Sequence, residues 1–491
     1  MINSSWFQAE TMWLFNTSVV SKVADKPYRG FPFHNAACVD GKLLGALWAL
    51  SQIRDALPLI HGPVGCSWQR KLSLSGCRIF YYVPCTAWTN VEVIYGGETK
   101  LREVIVEAYR RYRPGLIAVL TTCASDLTGD DVAAVVETAR KLVPCPVIYS
   151  TGSRAGKFKQ VGSQDLYLSI VEQYVIPVAQ ERKYVPEENT VNIVTLGGRY
   201  CKSFFTELEP VLRRCGIKVR KVFFEGRLAS ELPELARVSM NIVPYPKLWA
   251  QELEHKLGVR QFVVFDHYST NLTRQFPLGF ENAKKLILEI CDRLGVSGAD
   301  KIIEEFYSCM LEKLFRIKKM LQGVSVAIER DWGAGLVLAI ELGLNVKMLV
   351  FDTKLMRLRG LSDRAIEDII NRMVKYAREH GQDPEVVTDP DPCRLVEQLK
   401  RRSVKLILCS YWSPLQLYER NGLVTISARE LSLFTEFGVT PVVEAGLKIA
   451  QRVRQGPAAR PLMPLAEMGQ ELPYLCEPWS SLVTLFHLNR W

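Results

Sequence analysis

The sequence has no run of about 18 uncharged apolar residues, so no helix is expected to cross a membrane. It has no Gly-x-x-x-x-Gly-Lys-Ser/Thr loop, and the chain is therefore not expected to hydrolyse ATP itself. No basic leader precedes the first apolar residues, and Glu10 and Asn16-Thr17-Ser18 interrupt them, so a secretory signal is not expected and a cytoplasmic protein is. Strict repeats and low-complexity segments are missing. Histidine is scarce, six in 491 residues, which leaves thiols as the more abundant soft metal ligands. Lys and Arg exceed Asp and Glu by 62 to 52, but the positive residues are spread over many helices with no basic and aromatic strip. That pattern describes a solvated surface rather than a nucleic-acid groove, with an acidic protein partner as the second reading.

What is present is cysteine and alternating strand and helix patterns. Thirteen cysteines, an odd number, in a chain with no export signal argue against a disulfide framework and for reduced thiols. The length exceeds what one core serves, so several units are expected. Residues 1–34 carry scattered aromatics without periodicity and read as an arm. A first α/β unit follows over 35–189. It contains a helix from about Gly41 to Ala56, a buried strand Leu57–His61, a helix 98–112, a continuous apolar strand 116–120 and a strand 146–150. Asp130 and Asp131 are placed at the start of a helix, where carboxylates are favoured. Pro177 to Asn189 reads as a linker.

A second unit over 190–322 has strands at 191–196, 219–224, 240–243 and 261–265, then two helices over 281–322. A third over 323–455 has strands at 324–328, 346–351, 385–388, 404–409 and 423–427. Its last helix, 441–454, is expected to return to the first unit, and residues 456–491 form a tail. The fold class expected is α/β, with three Rossmann-like doubly wound domains and mostly parallel sheets.

Three cysteines stand out by context: Cys38, Cys66 in His61-Gly62-Pro63-Val64-Gly65-Cys66, and Cys123 in Thr121-Thr122-Cys123. Their spacings, 28 and 57 residues, resemble neither zinc ribbons nor ferredoxin loops. The context says more. Gly62 and Gly65 allow close backbone approach. Cys123 sits at the carboxyl end of a buried strand, where open α/β sheets gather ligands, and near a helix start that favours the thiolate. Three thiolates cannot close a four-iron cubane, so a fourth ligand has to come from elsewhere. The alternative is that all three are inert core thiols.

The segment 35–135 resembles the N-terminal domain of nitrogenase component 1 and its relatives. The likeness runs through Cys38, through Leu59-Ile60-His61-Gly62-Pro63-Val64-Gly65-Cys66, through Tyr95-Gly96-Gly97, and through Thr121-Thr122-Cys123 followed by Gly129-Asp130-Asp131. The later units fit the same family to about residue 455. The resemblance implies that two related subunits meet over an iron–sulfur cluster, either an eight-iron P-cluster type or a four-iron type. Cys38, Cys66 and Cys123 are then this chain's ligands. It also implies a paralogous partner subunit, an α2β2 heterotetramer, and a separate P-loop iron–sulfur reductase that supplies electrons in an ATP-dependent reaction.

Some positions depart from the family pattern. The cofactor-bearing subunit carries a cysteine after the third strand of its second domain and a histidine late in its third. Here those regions read Asn241-Ile242-Val243-Pro244-Tyr245-Pro246 and Ile426-Ser427-Ala428-Arg429-Glu430. A larger iron–sulfur cofactor is thus expected in the partner, which makes this chain more β-type, although Thr151-Gly152-Ser153-Arg154 and Val161-Gly162-Ser163-Gln164 resemble the α-type. Cys409 is expected to be a core thiol, His61 a turn residue, and His267 a surface histidine or a pocket lining. No catalytic residue is identified. The expected function is a subunit of a nitrogenase-like two-component reductase, with the methylthio-alkane reductases as one group within it. The alternatives are an assembly scaffold for a nitrogenase-type cofactor, a tetrapyrrole reductase subunit, or a nucleotide- or sugar-binding α/β protein with incidental cysteines.

Overall fold

The computed structural model describes residues 42–67, 83–151, 159–194, 203–223, 226–266, 269, 271–329, 333–358, 361–409, 415–431 and 436–457. Three parallel sheets follow one another along the chain. The first holds β1 (Ala56–His61), β2 (Leu116–Thr121) and β3 (Val147–Ser150), paired in that order. The second holds β4 (Glu187–Val194), β5 (Lys218–Phe223), β6 (Val238–Val243) and β7 (Arg260–Val263), in the order β5-β4-β6-β7. The third holds β8 (Ser325–Glu329), β9 (Asn345–Phe351), β10 (Glu385–Thr388), β11 (Leu406–Cys409) and β12 (Val424–Ser427), in the order β10-β9-β8-β11-β12. The last is the Rossmann order, and the expected α/β fold of doubly wound parallel sheets is observed.

The sheets are parallel because their strands are apolar on both faces and helices cover each side. Every residue of β2 is buried. Helix Glu98–Tyr112 buries Leu101, Ile105 and Ala108, and Leu101 and Ile105 join Leu59, Ile117 and Val119 in one core on that face of the first sheet. Helix Lys42–Leu50 covers the other face, where Leu47 and Leu50 pack with Ile60, Ala118 and Leu120. None of the described helices is long and apolar enough to cross a membrane.

Two expectations are corrected. The first is the linker 177–189. Helix Lys159–Ile170 runs through a π-wound turn, Val171–Val175, into Ile176–Glu181, and β4 already begins at Glu187. Proline has no N–H to give to the helical ladder. Here Pro177 follows a turn whose hydrogen bonds are already shifted, so the helix survives. The same device recurs where Phe204–Leu208 is π-wound ahead of Pro210. The second concerns the last helix, Thr440–Gln455. It packs on helix Ala299–Leu321 and on β12 rather than on the described elements of the first unit. Its residues Val442, Val443, Ile449 and Ala450 join the core of the second and third sheets, beside Ile317.

Candidate metal centre

Strands β1 and β2 run side by side with His61 opposite Thr121. The segments leaving their carboxyl ends therefore start at one edge of the sheet, where ligands gather in open α/β folds. Residues 62–63 lead from β1 into a helical turn over 64–67 that contains Cys66. Cys123 follows β2 by two residues and opens helix Cys123–Thr128, whose N-cap Thr122 exchanges hydrogen bonds with Ser125. The two segments touch. A Cβ at Gly62 would lie 2.3 Å from Thr122 Oγ1, so only glycine lets them meet. The Thr122 hydroxyl donates to the His61 carbonyl at 3.0 Å. Cys66 is half-buried and Cys123 is exposed. The structure thus brings these two sequence-identified cysteines to one edge. Cys38 and His267 lie outside the described residues.

Beneath the two loops is a polar knot that motif reading missed. The His61 and Asp130 side chains are 0% and 2% exposed, and Nε2 lies 2.8 Å from Oδ2. Asp130 also accepts the Gly97 N–H at 2.9 Å and the Thr128 hydroxyl at 2.8 Å. His61 Nδ1 lies 3.2 Å from Thr86 Oγ1, which accepts the Gly62 N–H at 2.9 Å. Trp88 packs edge-on against the imidazole, with ring centroids 5.0 Å apart. Burial holds His61 below the ordinary imidazole value, opposed by its bond to Asp130 and by the charges of Asp130 and Glu98. The network assigns a neutral ring in which Nε2–H donates to Asp130 and Nδ1 accepts from the Thr86 hydroxyl. The adjacent aspartates, which looked alike in sequence, divide the work. Asp131 caps helix Val132–Ala139 through the Ala134 N–H, while Asp130 turns inward.

Cys85 was also missed. It bridges to Ile60 beside β1 and packs against the same core as Cys66. A cavity of about 670 Å³ opens beside helix Cys123–Thr128, lined in part by Lys42, Asp126, Asp131 and Asp165. Its carboxylates disfavour an anionic occupant.

Asn241, in the first departure from the cofactor-bearing pattern, and Cys409 are structural positions here. Asn241 is buried in β6, accepts from the Asn192 side-chain amide at 3.0 Å and donates to the Leu235 carbonyl. Cys409 is fully buried at the end of β11. Burial and the carboxylates of Glu329, Glu430 and Glu419 push its thiol well above the ordinary range, so it is a core thiol and not a ready ligand.

Among the described residues no three His, Cys, Asp or Glu side chains converge as a metal site. The donor set has the thiol chemistry that iron–sulfur ligation uses. It offers two soft thiols at one edge, one of them open to solvent, too few to close a site within this part of the chain.

Comparison with known proteins follows the same line. The profile of the nitrogenase component 1 type oxidoreductases matches residues 42–429. The nitrogenase iron-molybdenum cofactor biosynthesis protein NifE of Methanococcus maripaludis is 26% identical over 303 residues, 60% of this chain and 59% of that protein. The nitrogenase molybdenum-iron protein alpha chain of Clostridium pasteurianum is 25% identical over 223 residues, 43% of this chain and 41% of the relative. The matches thus span less than two thirds of these relatives' own length. A solved structure described as nitrogenase Cp1 at pH 6.5 superposes with a TM-score of 0.54 at 16% identity, covering 89% of this chain and 92% of the other. That likeness speaks to the fold alone. The relatives do not bear on methylthio-alkane reduction or on α-type against β-type.

Proposed function

The chain belongs to the nitrogenase component 1 type oxidoreductase family, and on that premise we propose that it is one subunit of a paired complex on which a nitrogenase-type cofactor is assembled. The observation that supports this reading is that the segments bearing half-buried Cys66 and exposed Cys123 leave adjoining strand ends at one edge of the first sheet. Cys38, Cys66 and Cys123 would hold this chain's share of an interface cluster, P-cluster-like or four-iron, with the remaining ligands from a paralogous subunit. Once bound, the cluster supplies one-electron chemistry at low potential. The chain's own residues bury one side of the site, present thiolates and hold the two loops in register. The choice of assembly over reduction follows the similarity to a cofactor biosynthesis protein.

The test is anaerobic purification with the paralogous subunit, followed by iron and acid-labile sulfide analysis. A brown complex that loses iron in Cys66→Ala or Cys123→Ala is expected, and a colourless, iron-free complex overturns the cluster. Incubating the loaded complex with cofactor-free nitrogenase component 1 should then restore reductase activity to the acceptor.

A second reading is favoured by the similarity to the nitrogenase alpha chain. In it the complex is itself the electron-accepting half of a two-component reductase, fed by a P-loop iron–sulfur protein and passing electrons to a substrate or to a larger cofactor in the partner. Turnover of methylthio-alkanes or tetrapyrroles with the cognate reductase, and no cofactor transfer, would select this reading.

A further inference from the structure

The knot under the cysteine loops is the feature tied to the proposed site by several independent contacts.

We infer that Asp130 is a positioning residue which, through His61, sets the relative placement of the Cys66 and Cys123 loops before any cluster arrives. The inference rests on the reading of those cysteines as ligands. Asp130 takes three donors from three separate segments: His61 at the end of β1, Gly97 at the turn before helix Glu98–Tyr112, and Thr128 after Cys123. The chain of contacts continues through His61 to Thr86 and from Thr86 back to Gly62, the first residue of the Cys66 loop. The Thr122 hydroxyl, one residue before Cys123, closes the ring on the His61 carbonyl. Both thiol-bearing loops therefore hang from one carboxylate whose side chain is 2% exposed. Such a buried carboxylate is held in place only while its donors are in place, and removing it leaves them unpaired. It touches neither thiol in any contact described above, so its effect on a cluster is indirect.

Asp130→Asn and Asp130→Ala separate position from charge. In the asparagine variant the amide oxygen can keep the two N–H donors of His61 and Gly97, and the amide nitrogen can donate to the Thr128 hydroxyl. The alanine variant removes all three bonds. The first readout uses the metal-free full chain: alkylation of Cys66 by iodoacetamide, followed by peptide mass analysis, with buried Cys215 and Cys291 as fold controls. Cys66 should react about 10-fold faster in Asp130→Ala, as a loop released from its anchor opens more often, and near the wild-type rate in Asp130→Asn. The second readout uses the complex with its partner subunit. Iron should be held about 10- to 100-fold more weakly in Asp130→Ala, with an altered electron paramagnetic resonance line shape for the iron that remains.

If Asp130→Ala exposes Cys215 and Cys291, the fold itself has been lost and Thr86→Val takes its place. That change cuts the link from His61 to Gly62 while leaving Asp130 intact, and it should move Cys66 in the same direction. An unchanged Cys66 rate in the folded variant, or a raised rate with full iron and an unchanged line shape, overturns the inference. Full iron in Cys66→Ala together with a raised Cys66 rate in Asp130→Ala sinks the ligand reading instead and leaves the placement of the loops standing.

Discussion

A histidine that folds into a fully buried, neutral state makes stability depend on pH in a definite direction. His61 has its pKa lowered below 6.5, chiefly by burial, while Asp130 and Glu98 oppose the shift. Below 6.5 the unfolded chain takes up a proton at this ring that the folded chain does not. Stability from this group is therefore present above pH 6.5 and is lost as pH falls through the lowered folded value. Thermal unfolding followed from pH 8 to pH 5 should show a steeper loss for the wild type than for His61→Gln, which cannot take up that proton. Parallel curves would mean that another group governs the acid limb. Gly62 makes a steric prediction at the same scale. A methyl group there meets the Thr122 hydroxyl at 2.3 Å, and the backbone sits at φ +155°. Gly62→Ala should cost about 1–3 kcal/mol, as overpacked sites do, and should loosen the contact between the two cysteine loops.

Helix Lys159–Ile170 crosses helix Lys42–Leu50 so closely that a Cβ on Gly162 would lie 1.9 Å from the Lys42 carbonyl oxygen. The obstacle is backbone, which cannot rotate aside. The Lys42–Asp165 ion pair ties the same two helices together. Gly162→Ala should push them apart and lower the unfolding midpoint, with a cost of about 1–3 kcal/mol. An unshifted melt would show that the crossing tolerates a wider spacing. The sequence marked Val161-Gly162-Ser163-Gln164 only as a family likeness, because nothing local says what a glycine faces across a helix crossing. Elements governed by local patterns were legible. Helix Glu98–Tyr112 falls at 98–112 as read, and the apolar run 116–120 is β2 with one residue added. Elements governed by a compensating irregularity were not. Pro177 looked like a break because the π-turn that accommodates it has no signature of its own. The site divides in the same way. The position of Cys66 and Cys123 after strand ends was readable from the apolar runs and glycines, whereas the His61–Asp130 pair joins residues 69 apart and exists only once β1 and β2 lie in register.

At the scale of the whole chain, the edge that carries Cys66 and Cys123 also carries apolar surface. Helix Asn90–Tyr95 buries none of its residues. Ile94 and Tyr95 are 70% and 83% exposed, and Leu127 on the contacting helix Cys123–Thr128 is 87% exposed. Glu98, Asp126 and Asp131 stand exposed near this patch. Contiguous apolar surface with a charged rim marks a protein contact. A few side chains cover an area of the order of a few hundred Å², well short of the 2,000 Å² or more of a permanent subunit interface and closer to a transient encounter. On the second reading, in which an iron–sulfur reductase feeds the complex, we propose that this patch is where that reductase docks and that its acidic rim meets a basic face on it. Leu127→Ser combined with Tyr95→Ser should weaken reductase binding about 10- to 30-fold, the usual loss on removing a central apolar anchor, while sedimentation shows the subunit pair intact. Binding of the unmodified complex should also weaken with added salt, because the rim charges act through solvent. Dissociation of the subunit pair in the double variant, with reductase binding to any remaining pair unchanged, would instead assign the patch to the paralogous subunit.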